Sequence, residues 1–190
     1  MNARKHAPGA RRQPKHSSGT FSVGIRPVVT RPDPRLGLRA AEVDPCDPHL
    51  VALASVLVTT MRASPACVGL AATQIGEAVR LFCMDVSGHR KARSCAGLVV
   101  MANPIIVRRS RDVTMREGCL SVPHLTGNVA RAAEVVVEGH VLGTGKLLRV
   151  TADAMEARCL QHEIDHLDGF VFVDRVRDPG VDLFARLTYG

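Results

Sequence analysis

Aromatic side chains are scarce: 190 residues contain no tryptophan, one tyrosine and five phenylalanines. A core must therefore rest on Leu, Val, Ile, Met and Ala, packed by shape and not by large flat rings. No apolar run approaches the roughly 18 residues that a membrane-spanning helix needs, so no membrane partner is expected. The six cysteines, Cys46, Cys67, Cys83, Cys95, Cys119 and Cys159, form no C-x-x-C pair, which argues against a four-cysteine zinc site. No segment reads as a secretory signal, so these thiols suggest a reducing compartment, where most serve as small buried apolar groups. Acidic residues are missing altogether from residues 1–31, which hold seven of the 25 basic residues. The other 18 basic residues are matched by 18 acidic ones, so the net charge of +7 lies in the tail and the body is neutral. A neutral body argues against a nucleic-acid-binding domain and leaves the tail free to touch RNA or another polyanion.

Residues 1–24 are rich in Arg, Pro, Gly, Ser and His and have almost no apolar content. We read them as a disordered basic tail, since an organelle transit segment should be amphipathic and this one is not clearly so. Residues 25–190 then make one domain, long enough to bury a real core.

The densest chemistry lies in Gln161-His162-Glu163-Ile164-Asp165-His166-Leu167-Asp168-Gly169. On a helix, positions i and i+4 share a face, so His162 and His166 can hold one metal ion between them. Glu163 then stands where its carboxylate can take a proton from a water that the metal activates. Asp153 and Glu156 have capping-box spacing, and Gly169 reads as a helix stop, which predicts a helix of about 14 residues. The motif lacks a third ligand.

Asp47-Pro48 opens an earlier helix near residues 48–62, with Asp as N-cap and Pro at the first position. Leu50, Leu53, Ala54, Leu57, Val58 and Met61 form its apolar stripe, and Ser64-Pro65 ends it. Residues 67–76 are mostly small, with Gln74 among them, and lead into a strand over 80–86. Residues 87–97 read as an exposed loop, and Asn103-Pro104 as a turn between two strands. A polar loop is expected up to Arg131, then short strands over 133–137 and 147–150. The fold class is α+β: short, mostly antiparallel strands packed around a central metal-bearing helix, with a second amphipathic helix.

Three stretches, taken in order, resemble the peptide deformylases: residues 67–74, 117–121 and 162–166, against the patterns G-Φ-G-Φ-A-A-x-Q, E-G-C-Φ-S and H-E-Φ-D-H, with Φ apolar. The resemblance implies that Cys119 is the third ligand beside His162 and His166. Ordinary H-E-x-x-H peptidases take theirs from a downstream Glu or His, and no such residue follows His166. It further implies one divalent ion, Fe²⁺ natively, with Zn²⁺, Ni²⁺ or Co²⁺ as alternatives. Glu163 would shuttle the proton, while Gln74 and the backbone N–H of Leu120 would stabilise the oxyanion. Val68, Gly69 and Gly118 would bind the substrate chain, and Cys159 would line the methionine pocket. Glu117 and Arg131 would pair beneath the site. Cys67 departs from the family's usual glycine, which puts the local backbone in question because Cys tolerates positive φ poorly. His124 is read as a loop residue.

The implied activity is removal of the N-formyl group from the N-terminal methionine of nascent proteins, with release of formate. A zincin-type metallopeptidase and a catalytically weak ribosome- or metal-binding homologue are the rivals. A monomer in a bacterial cytoplasm is expected, an organelle being the alternative, with ribosome contact through the basic tail. Arg158 falls on the metal-facing side of the helix. It is expected to snorkel, its charge reaching water at the rim, with contact to substrate as the other reading.

Overall fold

The computed structural model describes residues 24–186. Eight strands and three α-helices occur among them: α1 (Pro48–Ala63), β1 (Gly69–Ala71), β2 (Leu81–Met84), β3 (Val99–Arg109), β4 (Asp112–Cys119), β5 (Val122–Ala132), β6 (Glu134–His140), β7 (Leu147–Asp153), α2 (Ala154–Leu167), α3 (Pro179–Asp182) and β8 (Leu183–Ala185). One antiparallel sheet has the order β1-β2-β3-β6-β7, and a second runs β4-β5-β8.

The larger sheet is covered on both faces. Leu81 and Cys83 of β2 pack with Leu53, Leu57 and Met61 of α1. Phe82 and Met84, pointing the other way, pack with Leu160, Ile164 and Leu167 of α2. A strand buried on both faces reads as the continuous run Leu-Phe-Cys-Met instead of an alternating pattern. Each fully buried Leu or Phe contributes about 1.5–3 kcal/mol. Among the described residues only Phe82 and Phe172 supply aromatic rings of Phe, Tyr or Trp to the fully buried set, so the core is largely aliphatic. The smaller sheet closes over a third cluster containing Cys119, Val122, Val129, Phe172 and Val176.

Both long helices stand where expected. The Asp47 side chain accepts from the His49 amide, and Ser64 closes α1. Gly169 follows α2 at φ 84°, and a Cβ there would lie 2.7 Å from the Gly37 carbonyl. A left-handed conformation and a tight backbone approach both call for glycine.

Three local readings need correction. The capping box is not formed, for Asp153 caps nothing through its side chain. Its Oδ1 accepts from the Ser94 amide (2.8 Å) and Glu156 Oε1 from Ala96 (2.6 Å), so both acids tether the 87–97 loop. Asn103-Pro104 is not a turn between two strands. β3 runs through it with a register shift, Asn103 at φ 50°, and its side chain bridges the Val43 backbone both ways (3.0 and 2.8 Å). The expected loop up to Arg131 is strand β5, paired with β4 from Thr126 to Ala132 and, past a register shift, at Val122. Cys67 escapes positive φ, which falls instead on Ala66 at 56°.

Candidate metal centre

α2 follows β7 without a connecting loop, and its buried face carries Cys159, Glu163 and His166. Opposite it, β4 ends at Cys119, where a register shift after Gly118 tightens the turn into β5. Cys119, His162 and His166 offer ligand atoms that all lie within 4.8 Å of one another. Cys119 Sγ is 3.2 Å from His166 Nε2. Bonds of about 2.3 Å to sulfur and about 2.1 Å to nitrogen at a tetrahedral angle would separate the two by about 3.6 Å, so the donors fit one ion. The His162 Nδ1 faces Glu117 Oε2 at 3.0 Å, which leaves its Nε2 for a metal. Three soft or borderline donors suit zinc or ferrous iron.

Burial alone would raise the Cys119 thiol, but the His166 and His162 imidazoles hold it well below its ordinary value. Thiolate character follows, as metal ligation needs. Around it, Gln74 is fixed at both ends. Its Oε1 accepts from the Ala71 amide (2.9 Å), and its Nε2 faces Ser121 Oγ (3.1 Å) and Cys119 Sγ (3.4 Å). Gln74 therefore presents donor hydrogens to the centre.

Glu163 is 3% exposed and its Oε2 has no hydrogen-bond partner. Burial raises its carboxyl to about 7, against the pull of His162 and His166. Gly69 on β1 makes room for it: a Cβ there would lie 2.5 Å from Glu163 Oε1 and 2.7 Å from Cys159 Sγ.

Beneath the centre lies a buried ion network. Arg131 reaches Glu117 through Nε (2.7 Å) and Nη2 (3.0 Å), and Asp165 through Nη1 (2.5 Å). Arg175 holds the other Asp165 oxygen at 2.6 Å. Burial opposes ionisation of Glu117, yet His162 and Arg131 hold it well below the usual carboxylate range. The Glu117–Arg131 pair is thus present. Arg158 departs from expectation. It is 3% exposed, and its Nη1 meets Glu117 Oε1 (2.5 Å) and the Val129 carbonyl (3.0 Å) while Nη2 meets the Val113 carbonyl (2.9 Å). It does not snorkel, because Glu117 offsets the charge and two carbonyls take its donors.

Gln74, Val68, Gly69, Gly118, Cys119, Leu120, Cys159, His162 and Glu163 all border one cavity of about 580 Å³. Ser121 and Asp165 were not singled out from the sequence, although both sit inside the motifs. Their only signal was that position. His124 lies in β5, not in a loop.

A Cys-His-His cluster that could hold a metal ion, beside a buried carboxylate with one unpartnered oxygen, is an arrangement suited to metal-dependent hydrolysis. The family model for polypeptide deformylases matches residues 25–181. A peptide deformylase of Syntrophobacter fumaroxidans is 40% identical over 164 residues, covering 86% of this chain and 94% of that protein. The crystal structure of a peptide deformylase from Legionella pneumophila superposes with a TM-score of 0.73 at 38% identity, over 80% of this chain and 86% of that one. A class I type b peptide deformylase from Acinetobacter baumannii, solved with Met-Ala-Ser bound, gives 0.72 at 32% identity, over 82% and 100%. The chain belongs to the polypeptide deformylase family, and its activity is the family's, hydrolytic removal of the N-formyl group from newly made polypeptides.

Proposed function

We propose that Cys119, His162 and His166 hold one divalent ion, Fe²⁺ natively, on the central helix α2, and that the surrounding residues divide the work of deformylation. The observation that carries this reading is the convergence of those three donors within 4.8 Å of one another, at a cavity lined by Cys119, His162 and Glu163, where a buried Glu163 oxygen has no partner. When bound, such an ion supplies Lewis acidity and makes water a stronger acid at neutral pH. Glu163 takes the proton of the attacking water and hands it to the departing amine, a task suited to a carboxyl poised near neutrality. Gln74 Nε2 and the Leu120 amide donate to the oxygen on which charge develops. The substrate chain lies against the free edge of β1 at Val68 and Gly69, with Gly118 opposite, as an added strand. Cys159 helps wall the methionine pocket. The peptide bound to the Acinetobacter baumannii protein, Met-Ala-Ser, has the composition of a deformylated product, which supports a methionine-led peptide as the ligand here.

Residues 25–190 form the catalytic domain in this reading, monomeric in a bacterial cytoplasm. Residues 1–24 add a basic arm for the ribosome. Formate release from formyl-Met-Ala-Ser, with metal analysis, tests the assignment. Cleavage of the unformylated peptide would favour a peptidase, and bound metal without turnover would favour an inactive homologue.

A further inference from the structure

The cavity's exposed lining is unevenly charged. Its lining includes the uncharged Pro65 and Ala66 together with Arg116 of β4 and Arg186 beyond β8. The carboxylates among its lining residues, Glu117 and Glu163, are both buried, and Glu117 is bound to Arg131 and Arg158. Among the described residues that line the cavity, no exposed acid offsets the two guanidinium groups.

Both are held in place without being neutralised. β8 pairs with β5 from Leu125↔Ala185 to Gly127↔Leu183, and the Arg186 amide continues that ladder to the His124 carbonyl (2.8 Å). The Arg186 guanidinium rests on the Gly118 backbone: its Nη2 lies 2.5 Å from where a Cβ would stand. Its side chain has no hydrogen bond or ion pair among the described residues. Arg116 lies over the Phe184 ring, 3.4 Å from the centroid, and donates to Asn128 Oδ1 (3.2 Å) and Thr126 Oγ1 (3.0 Å). Asp182 meets the Asn128 amide (2.9 Å) and not the guanidinium. A cation stacked on a ring and held by neutral groups keeps its charge available.

With the reactive end of the substrate fixed at Cys119 and Glu163, residues after the methionine must leave between the β1 edge and Gly118, past the two guanidinium groups. We propose that Arg186, with Arg116, sets specificity for the residues that follow formyl-methionine, favouring an acidic side chain there. This rests on the placement of the substrate chain given above. Arg186 and Arg116 take no part in bond breaking and act on binding alone.

The test compares kcat/KM for amidated formyl-Met-Asp-Ala and formyl-Met-Ala-Asp with their Asn counterparts. Exposed charge pairs are modest, so the wild type should prefer the better acidic peptide by about two- to five-fold, through KM. The preference should shrink as salt rises from about 50 to 500 mM. Arg186→Gln should bring the ratio toward one, Arg186→Lys should keep most of it, and Arg186→Glu should reverse it in favour of a lysine-containing peptide. Equal kcat/KM for acidic and neutral peptides in the wild type, or a ratio that Arg186→Glu leaves in place, would overturn the proposal. Failure to release formate from any of these peptides would instead overturn the catalytic reading beneath it.

Discussion

Substitution of Gly69 by alanine isolates the role of close packing around Glu163, the proposed base. Gly69 does not have the positive φ that would make alanine strained in itself, so the effect is steric. The added methyl would lie 2.5 Å from Glu163 Oε1, 2.9 Å from its Cδ and 2.7 Å from Cys159 Sγ. Contact needs about 3.5 Å or more, so the neighbours must yield by roughly 1 Å. Leu70 and Ala71 beside it are fully buried and Ala71 anchors Gln74, so β1 is poorly placed to retreat and the Glu163 carboxylate is the softer side. Overpacking of this kind costs about 1–3 kcal/mol of stability, and a 1 Å misplacement of a catalytic group about 10²-fold in rate. Steady-state formate release with a thermal melt on metal-loaded protein reads both. A fall in kcat of roughly that size, with the protein still folded and metal retained, is expected. A Gly69→Ala enzyme within about two-fold of wild-type kcat would refute the claim that β1 and Glu163 are packed to contact.

The remaining predictions concern the metal ligands and the buried ions. Cys119→Ser should lose most of its metal, measured by elemental analysis after dialysis, because a hydroxyl is a poor replacement for a thiolate held ionised by two imidazoles. Arg131→Ala leaves Glu117 and Asp165 short of a buried partner and should destabilise by about 3–5 kcal/mol in a denaturant titration. Asp165 is opposed by burial but held below the usual carboxylate range by Arg175 and Arg131, and Glu117 is held low as well. Depressed folded values mean that their stabilisation is complete above the unfolded value of about 4 and is lost as pH falls below it toward the folded values. The melting temperature should therefore fall progressively below about pH 4, and less steeply in Arg131→Ala.

Local signals carried as far as local partners allow. Asp47-Pro48 and the stripe from Leu50 to Met61 specified α1 because both cap and face lie within the helix itself. The spacing of His162 and His166 placed them on α2, but Cys119 came only through resemblance, since the turn that brings it 3.2 Å from His166 is tertiary. Asp153 and Glu156 had the spacing of a capping box, yet they bond residues about 60 positions away. β5 was hidden because Pro123, His124, Gly127 and Asn128 look like loop residues, while its pairing partners in β4 and β8 hold the backbone extended. Arg158 was misread for the same reason: the carboxylate that offsets its charge, Glu117, lies 41 residues earlier.

The central claim, that Glu163 moves the proton beside an ion held by Cys119, His162 and His166, is tested most directly by Glu163→Gln. Gln keeps the volume of the side chain and removes its capacity to accept a proton. Metal content measured on the same sample as formate release should match the wild type while turnover falls by about 10²–10⁴-fold. A fully metal-loaded Glu163→Gln enzyme that releases formate at close to the wild-type rate would contradict the account.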